Sequence, residues 1–189
     1  MRLIVLLGGV FFAQMALCAP DADPQNGRRL ARQCKTCHGI DGASTIPIAP
    51  HIGGESATYI ARQLTRFRDG ARVHEMMSVV ASALSDADIR DLAAWYASIP
   101  VSASLPDAVA NSGAPQKCVA CHGANGLAVH PDAPNLAGES LVYIMTQLKA
   151  FRSGRRQHQA MNKIAAGLGD AEMRQAAQWF AAITFRVSR

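Results

Sequence analysis

Two short stretches of this chain place two thiols and an imidazole at a fixed spacing. One runs from Cys34 to His38 and the other from Cys118 to His122, in a chain of 189 residues. In each stretch the cysteines lie three positions apart, so one helical turn brings both thiols to the same side. A histidine follows directly. This is the attachment pattern of c-type haem, in which the thiols form thioethers with two vinyl groups and the imidazole binds the iron.

The two motifs therefore predict two covalently bound haems c. The predicted thioether-forming residues are Cys34, Cys37, Cys118 and Cys121. The predicted proximal iron ligands are His38 and His122.

Two other chemistries use paired cysteines. A thioredoxin-like dithiol is expected in a βαβ setting, and a shared zinc site has its two pairs about 15–20 residues apart. No βαβ pattern is visible here. The two pairs lie about 80 residues apart and each has its own histidine, which favours haem.

The chain repeats itself with a period of 84 residues. Residues 34–99 align with residues 118–183 without a gap, and about 30 of the 66 aligned positions are identical. An internal repeat of this length predicts a duplicated domain. We expect domains at 20–100 and 116–189, joined by a linker over 101–115 that is rich in Pro, Ser, Ala and Asp.

The sixth coordination position of each iron separates electron transfer from catalysis, because a second protein ligand closes the iron to small molecules. Met77 and Met161 are equivalent in the repeat and are the predicted axial ligands. A thioether favours ferrous iron and raises the reduction potential. Met76 competes with Met77, but the repeat places Ala160 opposite it.

Four further histidines lie outside the haem motifs. His74 and His158 are matched in the repeat, and as iron ligands they would give bis-histidine haems of lower potential. We prefer to interpret them as surface or supporting groups near the haem edge. His51 and His130 have no histidine counterpart and are expected in loops.

Other matched residues are candidates for supporting roles. The carbonyl groups of Pro50 and Pro134 are expected to accept the second N–H of the proximal imidazoles, which would orient the rings. The candidates for holding haem propionates, by charge-assisted or hydroxyl hydrogen bonds, are Arg72, Arg156, Tyr59 and Tyr143. Surface solvation remains the alternative for both arginines. Trp95 and Trp179 are expected to pack the last helix of each domain.

The N-terminus has the pattern of a secretory signal. An apolar run follows Met1-Arg2 as far as Ala16, and small residues then lead to an expected cut after Ala19. The run is too short and wrongly flanked for a spanning helix, although an uncleaved anchor or lipidation of Cys18 stays open. We therefore expect residues 1–19 to be a signal peptide and the mature protein to lie in the periplasm.

The formal net charge of +5 does not indicate a nucleic-acid partner. Loss of Arg2 with the signal and two propionates on each haem would bring the holoprotein near neutrality. The first half would then carry about −2 and the second about +2. Such a dipole can steer association with charged redox partners; a solvated surface without a steering role is the alternative.

No segment alternates between apolar and polar residues in the way that is typical of strands, so each domain is predicted to be all-α. A first helix is expected from about Asn26 to Thr36, with a shortened counterpart in the second domain. A second is expected from about Ser56 to Arg68. A third is expected from Ser85 or Asp86, where Ser85-x-x-Asp88 resembles a capping box, until Pro100 stops it. Its buried stripe is expected to be Ile89, Leu92, Ala93, Tyr96 and Ile99. Domains of about 80 residues form marginal cores alone, and a buried haem would complete each one.

With these features the chain resembles the dihaem cytochromes c of the cytochrome c4 type. The matching residues are Cys34-x-x-Cys37-His38-Gly39, Cys118-x-x-Cys121-His122-Gly123, Pro134-Asn135-Leu136-Ala137-Gly138-Glu139, Tyr143, Gln147-Leu148, Phe151-Arg152-x-Gly-x-Arg156 and Met161. The resemblance covers essentially everything after the signal. It implies two class I cytochrome c domains in tandem, a pseudo-twofold relation between them, and His/Met haems near their interface.

Two departures from the family pattern bear on domain packing and on the environment of the first haem. The stretch from Pro50 to Gly53 differs from the Pro-Asn-Leu-Ala pattern of the second half. The helix before Cys118 is shorter than the family usually has.

The residues and the resemblance together predict a periplasmic electron carrier without catalytic residues. It would pass single electrons between a respiratory donor, such as a cytochrome bc1-type complex, and a terminal oxidase or reductase. One alternative is a dihaem enzyme, a peroxidase or a sulfur-compound dehydrogenase, which needs one open or unusually ligated haem. Another is a haem subunit docked in a larger redox complex. A peripheral association of the protein with the membrane also stays open.

Overall fold

The computed structural model describes residues 21–188, so the predicted signal peptide and Cys18 lie outside the described residues. A 3₁₀ turn, Ala31–Gln33, separates the first two helices. The elements in chain order are α1 (Pro24–Leu30), α2 (Lys35–His38), α3 (Ala57–Arg68), α4 (Glu75–Ser82), α5 (Asp86–Ala97), β1 (Val101–Ser104), α6 (Asp107–Ala110), α7 (Gln116–His122), α8 (Leu141–Arg152), α9 (Gln159–Ala166), α10 (Asp170–Ala181) and β2 (Thr184–Val187).

Helices α3 and α5 form where the sequence predicts them. The Ser56 hydroxyl caps α3 by accepting the N–H of Tyr59 at 3.1 Å. At α5, the Ser85 hydroxyl accepts the N–H of Asp88 at 3.1 Å, and the Asp88 carboxylate accepts the N–H of Ser85 at 3.0 Å. These bonds satisfy N–H groups that have no partner inside a helix. The predicted stripe of the last helix is buried: Ile89, Leu92, Ala93, Tyr96 and Ile99.

The crossing of α1 over α5 is close. A Cβ on Gly27 would lie 2.0 Å from the Asp91 carbonyl oxygen, so only glycine fits at this contact. The buried Asp91 carboxylate accepts the N–H of Asp23 at 2.8 Å and the Asn26 side-chain amide at 2.7 Å. These bonds attach the first helix of the first domain to its last.

In the second domain α8 and α10 are the counterparts of α3 and α5, and they pack against each other. The expected shortening of the first helix is present, since α6 has four residues. Val109 of α6 is buried, and its carbonyl accepts the indole N–H of Trp179 at 3.2 Å. A short helix therefore still closes one side of this domain's core.

A small antiparallel sheet adds to the helices. Val101 of β1 lies opposite Val187 of β2, and Ser104 lies opposite Thr184. The predicted all-α fold class of two tandem domains is confirmed, since the structure is mostly helical, but the sequence pattern did not reveal these two short strands. Four residues are too few for an alternating pattern to stand out. The segment expected to be a linker thus contains β1 and α6.

The strands obey the same repeat as the domains. Val101 and Phe185 are separated by the 84-residue period, and each packs on an equivalent glycine. A Cβ on Gly54 would lie 2.3 Å from the Val101 side chain, and one on Gly138 would lie 2.7 Å from the Phe185 Cβ. The duplication therefore extends past the aligned region into the sheet.

Within residues 21–188 there is no helix of the length and apolar character that crossing a membrane requires.

Candidate functional site

The two thiol–imidazole motifs end helices α2 and α7. His38 and His122 are buried, while the four cysteines are half-buried. Gly39 and Gly123 follow directly, with φ of 72° and 80°. A Cβ would lie 2.6 Å from the Ala43 carbonyl oxygen at the first glycine. Glycine at these positions lets the chain turn sharply away after the predicted proximal ligand.

Each of these histidines has its Nδ1 next to a proline carbonyl. His38 Nδ1 lies 2.9 Å from Pro50 O, and His122 Nδ1 lies 2.8 Å from Pro134 O. Because a carbonyl can only accept, Nδ1 carries the proton and Nε2 keeps its lone pair. Burial lowers the pKa of both imidazoles, which favours this neutral form, although the proline carbonyls act in the opposite direction. A neutral imidazole with Nε2 free is the form that binds iron.

The predicted axial methionines lie in two short helices, α4 and α9, that the sequence pattern did not reveal. The matched histidines begin these helices: His74 Nδ1 accepts the N–H of Met77 at 3.4 Å, and His158 Nδ1 accepts that of Met161 at 3.3 Å. The interpretation of both as supporting groups agrees with this capping role. Met76 is 64% exposed and Met77 is half-buried, an arrangement that favours Met77 as the ligand.

One cavity of about 610 Å³ extends through both domains. The predicted haem-binding residues in its wall are Cys34, His38, Met77, Cys118, Cys121, His122 and Met161. Much of the remaining wall is apolar, with Ile60, Leu64 and Phe67 from α3 and their counterparts Ile144, Leu148 and Phe151 from α8. An apolar enclosure between a histidine and a methionine fits a haem, and it does so twice within one continuous interior.

The four residues predicted to hold propionates lie together at the domain boundary. Arg72 donates to Gln63 Oε1 at 2.8 Å and to Gln147 Oε1 at 2.9 Å. Arg156 donates to the same two oxygens at 3.2 and 2.7 Å and to the Tyr59 hydroxyl at 3.0 Å. The two guanidinium groups also lie over Phe67 and Phe151.

This cluster contains positive charge and neutral hydrogen-bond partners. Arg156 is 9% exposed, and burial together with the charge of Arg156 lowers the pKa of Arg72. Buried charges are normally paired. Two guanidinium groups in the cavity wall whose hydrogen bonds run to amides and a hydroxyl therefore fit the carboxylates that two haems would bring. Tyr143, the fourth predicted residue, lines the same cavity.

His51 makes hydrogen bonds equivalent to those of Asn135, the residue at the matching position of the other domain. Its Nδ1 accepts the N–H of Ser44 at 3.0 Å, and its Nε2 lies 3.2 Å from the Gly138 carbonyl oxygen. At the equivalent position Asn135 accepts the N–H of Ala128 at 2.9 Å and donates to the Gly54 carbonyl at 3.1 Å. The departure from the family pattern at His51 thus preserves the contact between the domains. His51 also stacks on Phe185, with ring centroids 4.6 Å apart.

The remaining polar contacts between the domains are partly reciprocal. Ser56 donates to the Pro131 carbonyl at 3.2 Å, and its counterpart Ser140 donates to the Pro47 carbonyl. The Arg62–Asp132 ion pair, at 2.6 Å, has no counterpart, because Thr146 stands at the position equivalent to Arg62.

Two buried glutamates complete the interface. Glu139 accepts the N–H of His51 at 2.7 Å, and Glu55 accepts the N–H of Asn135 at 2.9 Å. Each side chain thus reaches the loop of the opposite domain. The repeat shows that Glu55 matches Glu139 and that Gln63 matches Gln147. Nothing in the sequence pattern indicated that these side chains bond to the opposite domain.

The remaining predicted residues have ordinary roles. Trp95 donates its indole N–H to the Ile40 carbonyl at 3.1 Å, which ties α5 to the loop after the first motif. His130 lies exposed in a loop, as expected, and accepts the N–H of Asp132 at 3.2 Å. Burial raises the pKa of the Cys34 and Cys118 thiols, which disfavours the thiolate that dithiol chemistry needs.

Comparison with known proteins agrees with this geometry. A family model described as cytochrome c matches residues 24–100 and again residues 112–183. The chain belongs to the cytochrome c family. With one haem motif in each of two matched segments, this cytochrome carries two covalently bound haems c and is an electron-transfer protein of the dihaem type.

The predicted resemblance to cytochrome c4 is confirmed. The chain is 31% identical to a cytochrome c4 of Pseudomonas aeruginosa, over 80% of this chain and 84% of that protein. The solved structure of reduced recombinant cytochrome c4 from Pseudomonas stutzeri superposes with a TM-score of 0.74 at 26% identity, over 86% of this chain and 100% of that one. The chain is also 33% identical to a "Thiosulfate dehydrogenase electron acceptor" of Stutzerimonas stutzeri strain A1501, over 93% of each chain.

Proposed function

We propose that this cytochrome carries single electrons in the periplasm, from a dehydrogenase that oxidises a reduced sulfur compound towards a terminal oxidase or reductase. The proposed ligand pairs are His38 with Met77 in the first domain and His122 with Met161 in the second. The observation that carries the proposal is the single cavity whose wall contains both pairs. Two irons held in one interior would form a short path for electrons.

The side chains around each proposed site support a carrier. A bound haem would supply the one-electron step between Fe(III) and Fe(II). The proline carbonyls orient the imidazoles, and the capped helices α4 and α9 present the methionines to the same cavity. With protein ligands on both sides, neither iron would keep an open position for a substrate. This is why a carrier is favoured over a peroxidase or a dehydrogenase.

The donor is proposed from the relative named as an electron acceptor of thiosulfate dehydrogenase. Joining two thiosulfate ions into tetrathionate releases two electrons, and two haems can take one each. The acceptor is proposed from the resemblance to cytochromes of type c4. A cytochrome bc1-type complex stays the competing donor.

Rapid mixing tests the donor. The oxidised holoprotein is mixed with thiosulfate alone, with thiosulfate and a purified thiosulfate dehydrogenase, and with a reduced bc1-type complex, while haem reduction is followed by absorbance. We expect fast reduction only when the dehydrogenase is present. Reduction by thiosulfate alone would indicate an enzyme, and reduction by the bc1-type complex but not by the dehydrogenase would overturn the sulfur donor.

The ligand pairs have a spectroscopic test. The ferric protein should show a methionine–iron charge-transfer band, and the reduced protein should not bind carbon monoxide at neutral pH. High-spin ferric haem, or rapid carbon monoxide binding, would show an open iron and contradict the carrier function.

A further inference from the structure

One peptide group joins the predicted proximal ligand of each haem to a carboxyl group of the opposite domain. In the first domain this is the peptide between Pro50 and His51. Its oxygen accepts the Nδ1–H of His38 at 2.9 Å, and its N–H donates to Glu139 at 2.7 Å. Glu139 lies in the second domain, 88 positions from His51 in sequence.

The second domain shows the same arrangement in reverse. The peptide between Pro134 and Asn135 accepts the Nδ1–H of His122 at 2.8 Å, and its N–H donates to Glu55 of the first domain at 2.9 Å. The two sites are related by the internal repeat, and the arrangement is kept although His51 stands at one site and Asn135 at the other.

Both carboxyl groups are buried and both bind backbone amides. Glu55 is 4% exposed and Glu139 is 3% exposed. Neither takes part in an ion pair within residues 21–188. Burial raises the pKa of Glu139 to about 8, against the bonds from the His51 and Ser140 amides, and raises that of Glu55 well above its usual range. The proton of Glu139 can therefore exchange near neutral pH.

A change in the hydrogen bond at the N–H of a peptide group alters the charge on its carbonyl oxygen. The amide is a conjugated unit, so a stronger acceptor at the N–H increases the negative charge on the carbonyl oxygen. A more negative oxygen pulls harder on the imidazole Nδ1–H and makes the imidazole a more basic ligand. A more basic ligand stabilises ferric over ferrous iron and lowers the reduction potential.

We propose that each glutamate is a positioning residue for the haem of the opposite domain: Glu139 sets the proximal ligand of the first haem, and Glu55 sets that of the second. The inference rests on the proposed iron ligation by His38 and His122. Ionisation of Glu139 lowers the potential of the first haem, and its protonation raises it. The electron affinity of one domain thereby depends on whether the other domain is docked against it.

Other titratable groups near Glu139 act on the same loops. Burial and, to a smaller extent, the charge of Glu139 raise the pKa of Glu55. His51 stacks on Phe185 directly beyond the shared peptide. Tyr59, whose pKa is raised by burial, lies near Glu55. The test therefore compares variants that differ in one carboxyl group only.

The test is a redox titration of the two haems at about pH 6 and about pH 9, on either side of the Glu139 pKa of about 8. Wild type, Glu139→Gln and Glu55→Gln are compared, and Met77→His assigns the first haem by lowering its potential. In wild type the potential of the first haem should be lower at the higher pH. In Glu139→Gln that pH response should be lost, with the second haem unchanged.

Asp91→Asn is the matched control, because Asp91 also carries a buried carboxyl, but its hydrogen bonds go to the Asn26 side chain and to the Asp23 backbone. It should leave the pH response of the first haem intact. The proposal is overturned by a Glu139→Gln protein whose first haem still responds to pH, or in which only the second haem is altered.

If Glu139→Gln does not fold, a second measurement on the wild-type holoprotein tests the proposal instead. In the wild-type holoprotein, the NMR shift of the His51 amide proton should titrate over the same pH range as the potential of the first haem. Independent titrations would overturn the proposal. The proposed carrier function fails on a different observation: a wild-type protein without a low-spin spectrum or without a reversible redox titration.

Discussion

Because His51 and Asn135 make equivalent hydrogen bonds, we expect two substitutions of His51 to differ in their effect on the contact between the domains. His51→Asn keeps an acceptor for the Ser44 N–H and a donor for the Gly138 carbonyl, as Asn135 does for its own partners. His51→Leu keeps the bulk of the side chain and loses both bonds. The first variant should retain the contact between the domains, and the second should weaken it.

The magnitudes follow from the contacts. His51→Leu loses two hydrogen bonds between half-buried groups, at about 1 kcal/mol each, and also the ring stack on Phe185, so the free energy of unfolding should fall by about 2.5–3.5 kcal/mol. His51→Asn loses only the stack on Phe185, worth about 0.5–1.5 kcal/mol. Asn135→Leu, the matched change in the other domain, loses two hydrogen bonds and no ring stack, so it should cost about 2 kcal/mol.

The two residues also differ in titration, because only the histidine can take up a proton. Nδ1 of His51 must stay unprotonated to accept the Ser44 N–H, and burial lowers the pKa of this imidazole below 6.5. The unfolded chain then binds the proton more readily than the native protein. Stability is therefore complete above pH 6.5 and falls as the pH drops towards the native pKa, with a slope for one proton of at most about 1.4 kcal/mol per pH unit. His51→Asn should lack this loss.

Urea unfolding of the holoprotein, measured by circular dichroism between about pH 4 and about pH 8, checks both points. The difference in the free energy of unfolding between wild type and His51→Asn isolates the histidine. An asparagine variant as sensitive to acid as wild type would refute the titration argument. A leucine variant as stable as wild type at pH 8 would refute the assignment of the two hydrogen bonds.

Three further predictions concern packing, ligation and steering. Gly27→Ala should destabilise the first domain by at least about 1–3 kcal/mol, because its Cβ would meet the Asp91 carbonyl at 2.0 Å; thermal unfolding measures it. Met77→Ala should abolish the methionine–iron band of the first haem, whereas Met76→Ala should keep it, since that side chain is 64% exposed. Lys149→Glu, at an exposed position of the second domain, should slow reduction by an acidic partner at low salt.

Each of these has a control and a contrary result. Gly167→Ala should be tolerated, because the nearest atom to its Cβ lies 3.6 Å away; equal losses at Gly27 and Gly167 would contradict the packing argument. Loss of the band in Met76→Ala instead of Met77→Ala would reverse the assignment of the ligand. An unchanged rate for both Lys149→Glu and Arg155→Glu would dispose of electrostatic steering by this domain.

Much of the fold could be predicted because its signals are local. The caps at Ser56 and Ser85 and the stripe from Ile89 to Ile99 lie within one or two helical turns, where the spacing of residues determines which face they share. Helices α4 and α9 were missed because eight residues carry little periodicity. Their signal was present nevertheless in the matched histidines that cap them.

The contacts between the domains could not be predicted. The bond from His51 to Glu139 joins residues 88 positions apart, and no local pattern predicts which two loops meet. The sequence made His51 look like a departure from Asn135. In the structure both side chains offer an acceptor and a donor in the same two directions, a similarity that depends on where the partner atoms lie.

By itself the sequence determined the chemistry: two thiol pairs, two imidazoles and two thioethers in register, because these groups are defined by residue type and by spacing along one chain. The tertiary structure decided how the two halves are coupled. It brought both ligand sets to one cavity, gathered Arg72 and Arg156 with neutral partners, and placed a buried glutamate of each domain one peptide group away from the other's histidine. Those relations arise only when both domains are folded and docked, since the bonds from Arg72 to Gln147, from Arg156 to Gln63 and from each glutamate to the opposite loop cross the boundary between them.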